Sequence, residues 1–388
     1  MIDEVINLFD DGIKPYIEEL LKGRIGVGAH AVEVCNVDTG VASFGTESAM
    51  RGDRFQLLVP YAGDRLVWNV IFDATNPEYP PDFGFDDSFL ADPDVGVLEE
   101  AVPSLANWDG RDPKALLRVV GELLSLYRKF QISLLDDGDS ERLNFEYSSL
   151  VYQTDVEETD VEVLVASRQS ARTRQTNQSV HFLIRLNVDF SGLPPLNKTE
   201  NAGESSAYLL VVFHPPQWSR ILPQLILSPA VETALGNSSF SLPQFPQRDC
   251  LMDYVPIIKK QLKDKIEVVI TSFEKREQFI SILIFKLSGA LLEYDFHSFT
   301  QASFLLMKKD FFFVLHVTLP QTFPNGGPVY LLQSVYHASH GKPFKLELEG
   351  CPYSPRWKVP EIVDRAISFI WDEVDKFQKV SVQSCSSI

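Results

Sequence analysis

The chain has 388 residues, 45% hydrophobic and 23% charged, which is enough to bury two or three separate cores. A formal charge of -18 sets it against phosphate backbones and anionic bilayers, so neither nucleic acid nor membrane is expected as a partner. No apolar run approaches about 18 residues, and the opening MIDEVINLFDDGIKPY is acidic where a leader would be basic; the expected location is cytoplasmic and nuclear.

In chain order, Ile2, Val5, Ile6, Phe9, Ile13, Tyr16, Ile17 and Leu20 recur at helical spacing and predict an amphipathic helix over 2–22, with Gly12 and Pro15 as possible break points. RIGVGAHAVEVCNV and RFQLLVPYAGDRLVWNVIF then predict strands, the second stretch folding into a hairpin across Ala62-Gly63-Asp64. TNPEYPPDFGF follows. Its prolines, Pro77, Pro80 and Pro81, have no N–H for a sheet, so they lie outside a strand that resumes near Phe83. After an acidic loop and Trp108, DPKALLRVVGELLSLYRKFQISLL predicts a helix capped by Asp112 with Pro113 at its first position.

Residues 155–180 and 192–206 lack apolar periodicity and read as loops, while SVHFLIRLNVDF and AYLLVVFHPPQWSRILPQLILSP read as strands around Pro215 and Pro216. CLMDYVPIIKKQLKDKIEVVITSFEKREQFISILIF is long enough for a closing and an opening helix. The first pattern then returns in FLLMKKDFFFVLHVTLPQTFPNGGPVYLL, where Pro324 and Pro328 are spaced as Pro77 and Pro81 are. Trp357 leads into a last helix, KVPEIVDRAISFIWDEVDKFQKV. Domains are therefore expected at 1–138, 139–269 (a degenerate copy) and 270–383.

Helix, four-stranded meander, prolines after the third strand, Trp and helix is an order that resembles the ubiquitin-conjugating fold, and Asn76-Pro77-x-x-Pro80-Pro81-x-Phe83 is close to its F/Y-P-x-x-P-P signature. The fold class this implies is α+β: tandem ubiquitin-conjugating-enzyme-variant (UEV, RWD-like) domains, each a helix, a four-stranded antiparallel meander and a helix. Enzymes of that family carry a thioester-forming cysteine beyond an H-P-N motif. Residues 86–135 hold neither Cys nor His, and H-P-N occurs nowhere. Tyr336-His337 stands roughly where that motif would begin, but Ala338-Ser339 replaces Pro-Asn, and Cys351 follows at a longer gap with Pro352 directly after it. The chain therefore reads as a variant that keeps the fold and loses the chemistry. A residual conjugating enzyme using Cys351 and an independent adaptor for Pro-rich peptides are the alternatives.

DRFQLLVPYAGDRLVWNVIF, PEYPPDF, CLMDYVP, LLMKKDFFFVLHVTLP, QSVYH and PYSPRW extend the resemblance over nearly the whole chain, to non-catalytic UEV subunits of the BRISC deubiquitinase and a related Abraxas-containing nuclear assembly. That resemblance implies four partners: a JAMM-type zinc deubiquitinase, an Abraxas-family pseudoenzyme scaffold, a von Willebrand A-like adaptor and polyubiquitin. It also implies that the N-terminal domain faces the scaffold and the C-terminal region the adaptor. The chain is not itself the peptidase, since it has no H-x-H; His337 and His340 are three apart. Cys35, Cys250, Cys351 and Cys385 are dispersed, with no C-x-x-C, so neither a metal nor a cofactor is expected.

What remains is surface beside the prolines. Candidates for partner or ubiquitin contact are Pro77, Tyr79, Pro80 and Pro81 in the first copy, and Phe323, Pro324, Pro328, Tyr336, Tyr353, Pro355 and Trp357 in the last. Core packing is the competing reading for each aromatic residue. It is favoured for Phe83 and Trp357, whereas Tyr79 and Tyr353, beside prolines in loops, favour contact.

Overall fold

A computed structural model describes residues 2–28, 31–40, 52–73, 76–85, 88–90, 98, 100–136, 141–169, 176–194, 205–236, 240–246, 249–339 and 341–385. The opening helical pattern is split into α1 (Ile2–Ile6) and α2 (Lys14–Lys22), with Pro15 in the first turn of α2. Between them the chain extends so that Phe9 bridges Gly52, and the Gly52 N–H donates to the Leu8 carbonyl at 3.0 Å. A side chain at Gly52 would collide with Val37, so the break in the helix rests on a close backbone approach.

β1 (Glu33–Asp38), β2 (Arg54–Tyr61), β3 (Asp64–Ile71) and β4 (Asp82–Phe85) form an antiparallel sheet in sequence order. Phe55, Leu57, Val59 and Tyr61 alternate inward from β2, as Leu66, Trp68 and Val70 do from β3. The expected hairpin is present, and its turn residues Ala62 and Gly63 both have positive φ (47° and 78°), the handedness that matches strand twist. α3 (Pro103–Ala106) and α4 (Ala115–Ser133) follow. α4 begins at Ala115 with Lys114 at its N-cap and no side-chain cap, so Asp112 and Pro113 lie before it and not in the cap and first positions expected; Asp112 instead accepts the Lys114 N–H at 2.9 Å in the preceding turn.

After α5 (Glu141–Gln153), a second antiparallel sheet runs β5 (Val161–Gln169), β6 (Thr176–Arg185), β7 (Ala207–His214), β8 (Arg220–Leu227). The expectation of loop over 155–180 is wrong over 161–169 and 176–180, which are strand, while residues 170–175 lie outside the described residues. Val161, Glu162, Val163 and Leu164 are all buried, so this stretch has no polar face to give it an alternating pattern. Of the other expected loop, residues 195–204 lie outside the described residues. α6 (Pro229–Leu235) is short, and α7 (Leu251–Lys286) is one helix where two were expected, continuous through positions 269 and 270 with Pro256 inside its early turns.

The last sheet runs β9 (Leu291–Tyr294), β10 (Gln301–Lys308), β11 (Phe311–Thr318), β12 (Val329–Ser339), β13 (Lys342–Glu347), and α8 (Val359–Cys385) closes the chain. Four strands were expected; the fifth is β13, which folds back on the long β12 through Gly341 at φ 77° and adds Phe344 and Leu346 to the core. α+β architecture with antiparallel meanders is thus present three times, with four, four and five strands.

The chain divides into two compact units: Met1–Val188 with Glu204–Ser228 and Ser239–Gln261, and Asp189–Gly203 with Pro229–Ser238 and Leu262–Ile388. In the first unit one core takes in Trp68, Val120 and Tyr127 from the first sheet and its helix together with Leu164, Leu183 and Leu210 from the second sheet. Glu162 fastens this junction: one carboxylate oxygen accepts the Val27 N–H at 2.7 Å and the other the Ala62 N–H at 2.8 Å, while the Tyr61 hydroxyl donates to the Val163 carbonyl at 3.0 Å. In the second unit, buried Arg276 of α7 donates to the carbonyls of Ser298 at 3.0 Å and Gln321 at 2.8 Å, tying together the loops before β10 and after β11.

Burial pushes the Glu162 carboxyl upward, against the two backbone N–H groups and the charge of Arg128, which pull it down. Glu162→Ala leaves two buried amides without acceptors, and urea unfolding should show a loss of about 2–5 kcal/mol. Because the folded-state value is raised, the carboxyl's contribution is complete below its unfolded value and fades as pH rises through the folded one. Wild type should therefore gain on Glu162→Gln when unfolding is repeated at progressively lower pH starting from neutrality.

Candidate functional site

The first proline segment sits between β3 and β4 and is held down by groups from elsewhere in the first unit. The Tyr16 hydroxyl donates to the Gly110 carbonyl at 2.5 Å and, at 3.4 Å, lies against the Pro77 carbonyl. Its ring packs on Phe72 and Trp108, 5.8 and 5.4 Å between centroids. Burial, then Asp109, Asp112 and Glu78, raise the Tyr16 hydroxyl, keeping it a neutral donor. Two glycines permit the approach: a Cβ at Gly110 would lie 2.6 Å from Glu78 Cα, and one at Gly12 would lie 2.8 Å from Pro77 Cγ. Pro81 is buried and Pro77 half-buried, leaving Pro80 and Tyr79 exposed, Tyr79 by 62%.

The last proline segment repeats this arrangement with different parts. Phe323 is fully buried against Phe279, with ring centroids 5.5 Å apart, so of the candidates it is a core residue. The Tyr353 hydroxyl donates to the Pro324 carbonyl, and the Gly326 carbonyl lies 3.4 Å away. A Cβ at Gly327 would stand 3.1 Å from the Tyr353 ring. Tyr353, expected at a surface, is therefore a half-buried clasp. Trp357 is half-buried too, under the Arg365 guanidinium at 4.1 Å. Pro324 and Pro328 are half-buried and Pro355 is exposed. Tyr336 is 54% exposed but lies at the far end of β12 from Pro328, its ring 5.6 Å from Phe311. The fold thus gathers Phe323, Pro324 and Tyr353, keeps Pro77, Tyr79, Pro80 and Pro81 in one segment, and leaves Tyr336 apart from both. Tyr16, Gly110 and Gly327, which shape the two segments, carry no motif that sequence reasoning could have used.

Tyr336-His337 and Cys351, weighed in the sequence as a thioester site, have the following surroundings. Tyr336-His337 lies in a strand: a register shift between Gln333 and Ala338 in the β12–β13 ladder places it in a bulge. Ser334 Oγ accepts the His337 N–H at 3.1 Å. His337 Nδ1 is 3.0 Å from Ser381 Oγ and 3.3 Å from Ser334 Oγ, and the Ser381 hydroxyl also lies 2.8 Å from the Gln378 carbonyl. Burial raises the Cys351 thiol to about 11, opposite to the shift a nucleophilic cysteine needs. The Cys250 thiol is raised as well, by burial first and then by Glu146 and Asp253. Among the described residues no group of His, Cys, Asp and Glu is placed to hold a metal, and no helix is long and apolar enough to cross a membrane.

A family model described as brain and reproductive organ-expressed protein (BRE) matches residues 7–338. The chain is 40% identical over 377 residues to a Branchiostoma floridae protein named BRISC and BRCA1-A complex member 2, with 96% of each chain covered. A Danio rerio protein of the same name is 37% identical over 386 residues, covering 95% of each.

Gly110→Ala should cost about 1–3 kcal/mol in urea unfolding, because the new methyl meets backbone at Glu78 and not a yielding side-chain tip. Iodoacetamide labelling resolved by mass spectrometry should find native Cys351 roughly a hundredfold slower than the same cysteine in the unfolded chain near neutral pH, with the rate climbing until about pH 11.

Proposed function

Since this chain belongs to the brain and reproductive organ-expressed protein (BRE) family, we propose that it is a non-catalytic scaffold of BRISC- and BRCA1-A-type complexes, acting on polyubiquitin through a partner. The observation that carries this reading is the whole-length match to relatives named as members of those complexes. The raised thiol of Cys351 supports it from the side of chemistry, because a conjugating enzyme would need that thiol lowered.

On this reading the three meanders are three copies of the UEV plan, at 1–138, 139–269 and 270–383, and the chain bridges an Abraxas-family pseudoenzyme and its JAMM-type zinc deubiquitinase to a von Willebrand A-like adaptor. Its contribution is placement. A surface that holds a ubiquitin chain beside the peptidase raises effective substrate concentration without supplying a catalytic group. Tyr79 and Pro80, exposed on a segment clamped from beneath, are the contact surface this requires in the first copy, and Pro355 with the rim of Tyr353 and Trp357 in the last. The cytoplasm and the nucleus are the compartments it would serve. The same exposed residues favour the second reading, an adaptor for Pro-rich peptides outside any peptidase complex.

Native affinity purification separates these. The chain should co-purify with a chelator-sensitive activity that cleaves polyubiquitin; recovery as a lone monomer, or with Pro-rich partners and no such activity, sinks the scaffold reading. Incubation with ubiquitin and activating enzyme should give no thiol-reducible adduct on Cys351.

A further inference from the structure

Three hairpin turns in the described chain have two consecutive residues at positive φ. Two are ordinary for that geometry: Ala62-Gly63 (47° and 78°) puts glycine second, and Lys309-Asp310 (49° and 64°) a short polar residue. The third, at the β7–β8 turn, is Gln217-Trp218, at 56° and 54°. A bulky aromatic residue in the left-handed region is an outlier that glycine or asparagine would relieve. The turn is closed by the Ser219 N–H donating to the Pro216 carbonyl at 3.3 Å and the Ser219 hydroxyl donating to the same oxygen at 3.0 Å. Pro215, Pro216, Gln217 and Ser219 are exposed and Trp218 is half-exposed, so the strained aromatic side chain rides on a convex tip.

The charge around this tip is the second observation. In a chain of formal charge -18, residues 205–231, which include all of β7 and β8, contain neither Asp nor Glu, and neither do residues 163–188, which carry β6 and the rest of β5. His214 and Arg220 pair across the base of the turn, and Arg220 is exposed and in no ion pair among the described residues. The tip is thus a Trp between two prolines and a guanidinium with no ion pair among the described residues, on a sheet whose one acid, Glu162 of β5, is buried. An anionic partner repelled by most of this molecule meets no such barrier here, and a Trp with an Arg is a pairing enriched in the residues that dominate interfaces.

We propose that the β7–β8 tip, through Trp218 and Arg220, is a docking knob for an acidic segment of another protein chain, one that offers carboxylates to Arg220 and an apolar pocket to Trp218. The proposal rests on the complex-subunit reading above. Strain kept at Gln217-Trp218 is the mark of a side chain held for contact, since the fold would be steadier without it.

The test uses the full chain in its purified complex. Gln217→Asn/Trp218→Gly should raise the Tm of the free chain by a few degrees while cutting recovery of one complex subunit at least several-fold, and Arg220→Glu should cut the same subunit without moving Tm. A photo-crosslinking residue at position 218 should mark a segment of that subunit rich in Asp and Glu. Unchanged subunit recovery in both variants overturns the docking knob while leaving the scaffold reading intact. A crosslink to a neutral or basic segment, to nucleic acid, or to a second copy of this chain overturns it too. A chain that joins no complex at all overturns both readings.

Discussion

Proline removes an amide from a sheet but leaves its carbonyl, so a proline segment between two strands has acceptors to satisfy and no ladder to satisfy them. Twice in this chain a tyrosine hydroxyl meets that constraint. Tyr16 comes from a helix before the first sheet and reaches Gly110 and Pro77; Tyr353 comes from a loop after the last sheet and reaches Pro324 and Gly326. The donors arrive from opposite directions along the chain: Tyr353 donates to the carbonyl of Pro324 itself, whereas Tyr16 donates to Gly110 and lies against the carbonyl of Pro77. The glycines beneath are needed for the same reason, because the clasp brings backbone against backbone at Gly110 and ring against backbone at Gly327.

A clasped segment is rigid before any partner arrives, and this links packing to function. Residues on the outer side, Tyr79 and Pro80 in the first copy, are shown in a fixed arrangement, so little ordering is left to oppose binding. Cys351 is half-buried with its thiol raised, and His337 bonds to Ser334 and Ser381 within a strand. β13 folds the stretch after Tyr336-His337 back onto β12 as a hairpin.

Much of this was legible in the residues. The hairpin at Ala62-Gly63, the strands before each proline segment and the final helix followed from alternation, turn chemistry and proline placement, all of which are local. The failures have physical causes. β5 escaped because its first four residues are all buried and do not alternate, and the acid among them, Glu162, is the buried acceptor for two distant amides. The stretch 251–286 is long enough for a closing and an opening helix, yet it is one helix: Pro256 falls in an early turn and interrupts nothing beyond it. For the site, exposure was the quantity that sequence could not supply: Tyr79 and Tyr353 stand equally close to prolines, and only the long-range hydrogen bond to Pro324 distinguishes a clasp from a free ring.

The two compact units differ in how they are closed, and the difference bears on what a scaffold must do. In the first unit, Glu162 joins two sheets through backbone amides, so the joint does not depend on side-chain rotamers at the receiving end. A buried carboxylate in such a place is costly unless both oxygens are used, and both are. In the second unit, Arg276 works in the reverse sense, a buried cation donating to two loop carbonyls, with burial lowering its affinity for the proton and Asp295 opposing that only in part. Each device fixes backbone to side chain at long sequence range, and each fixes a loop or turn that adjoins a sheet. On the proposed scaffold reading, rigid turns on rigid sheets matter because slack in such joints would dilute any effective concentration the protein raised.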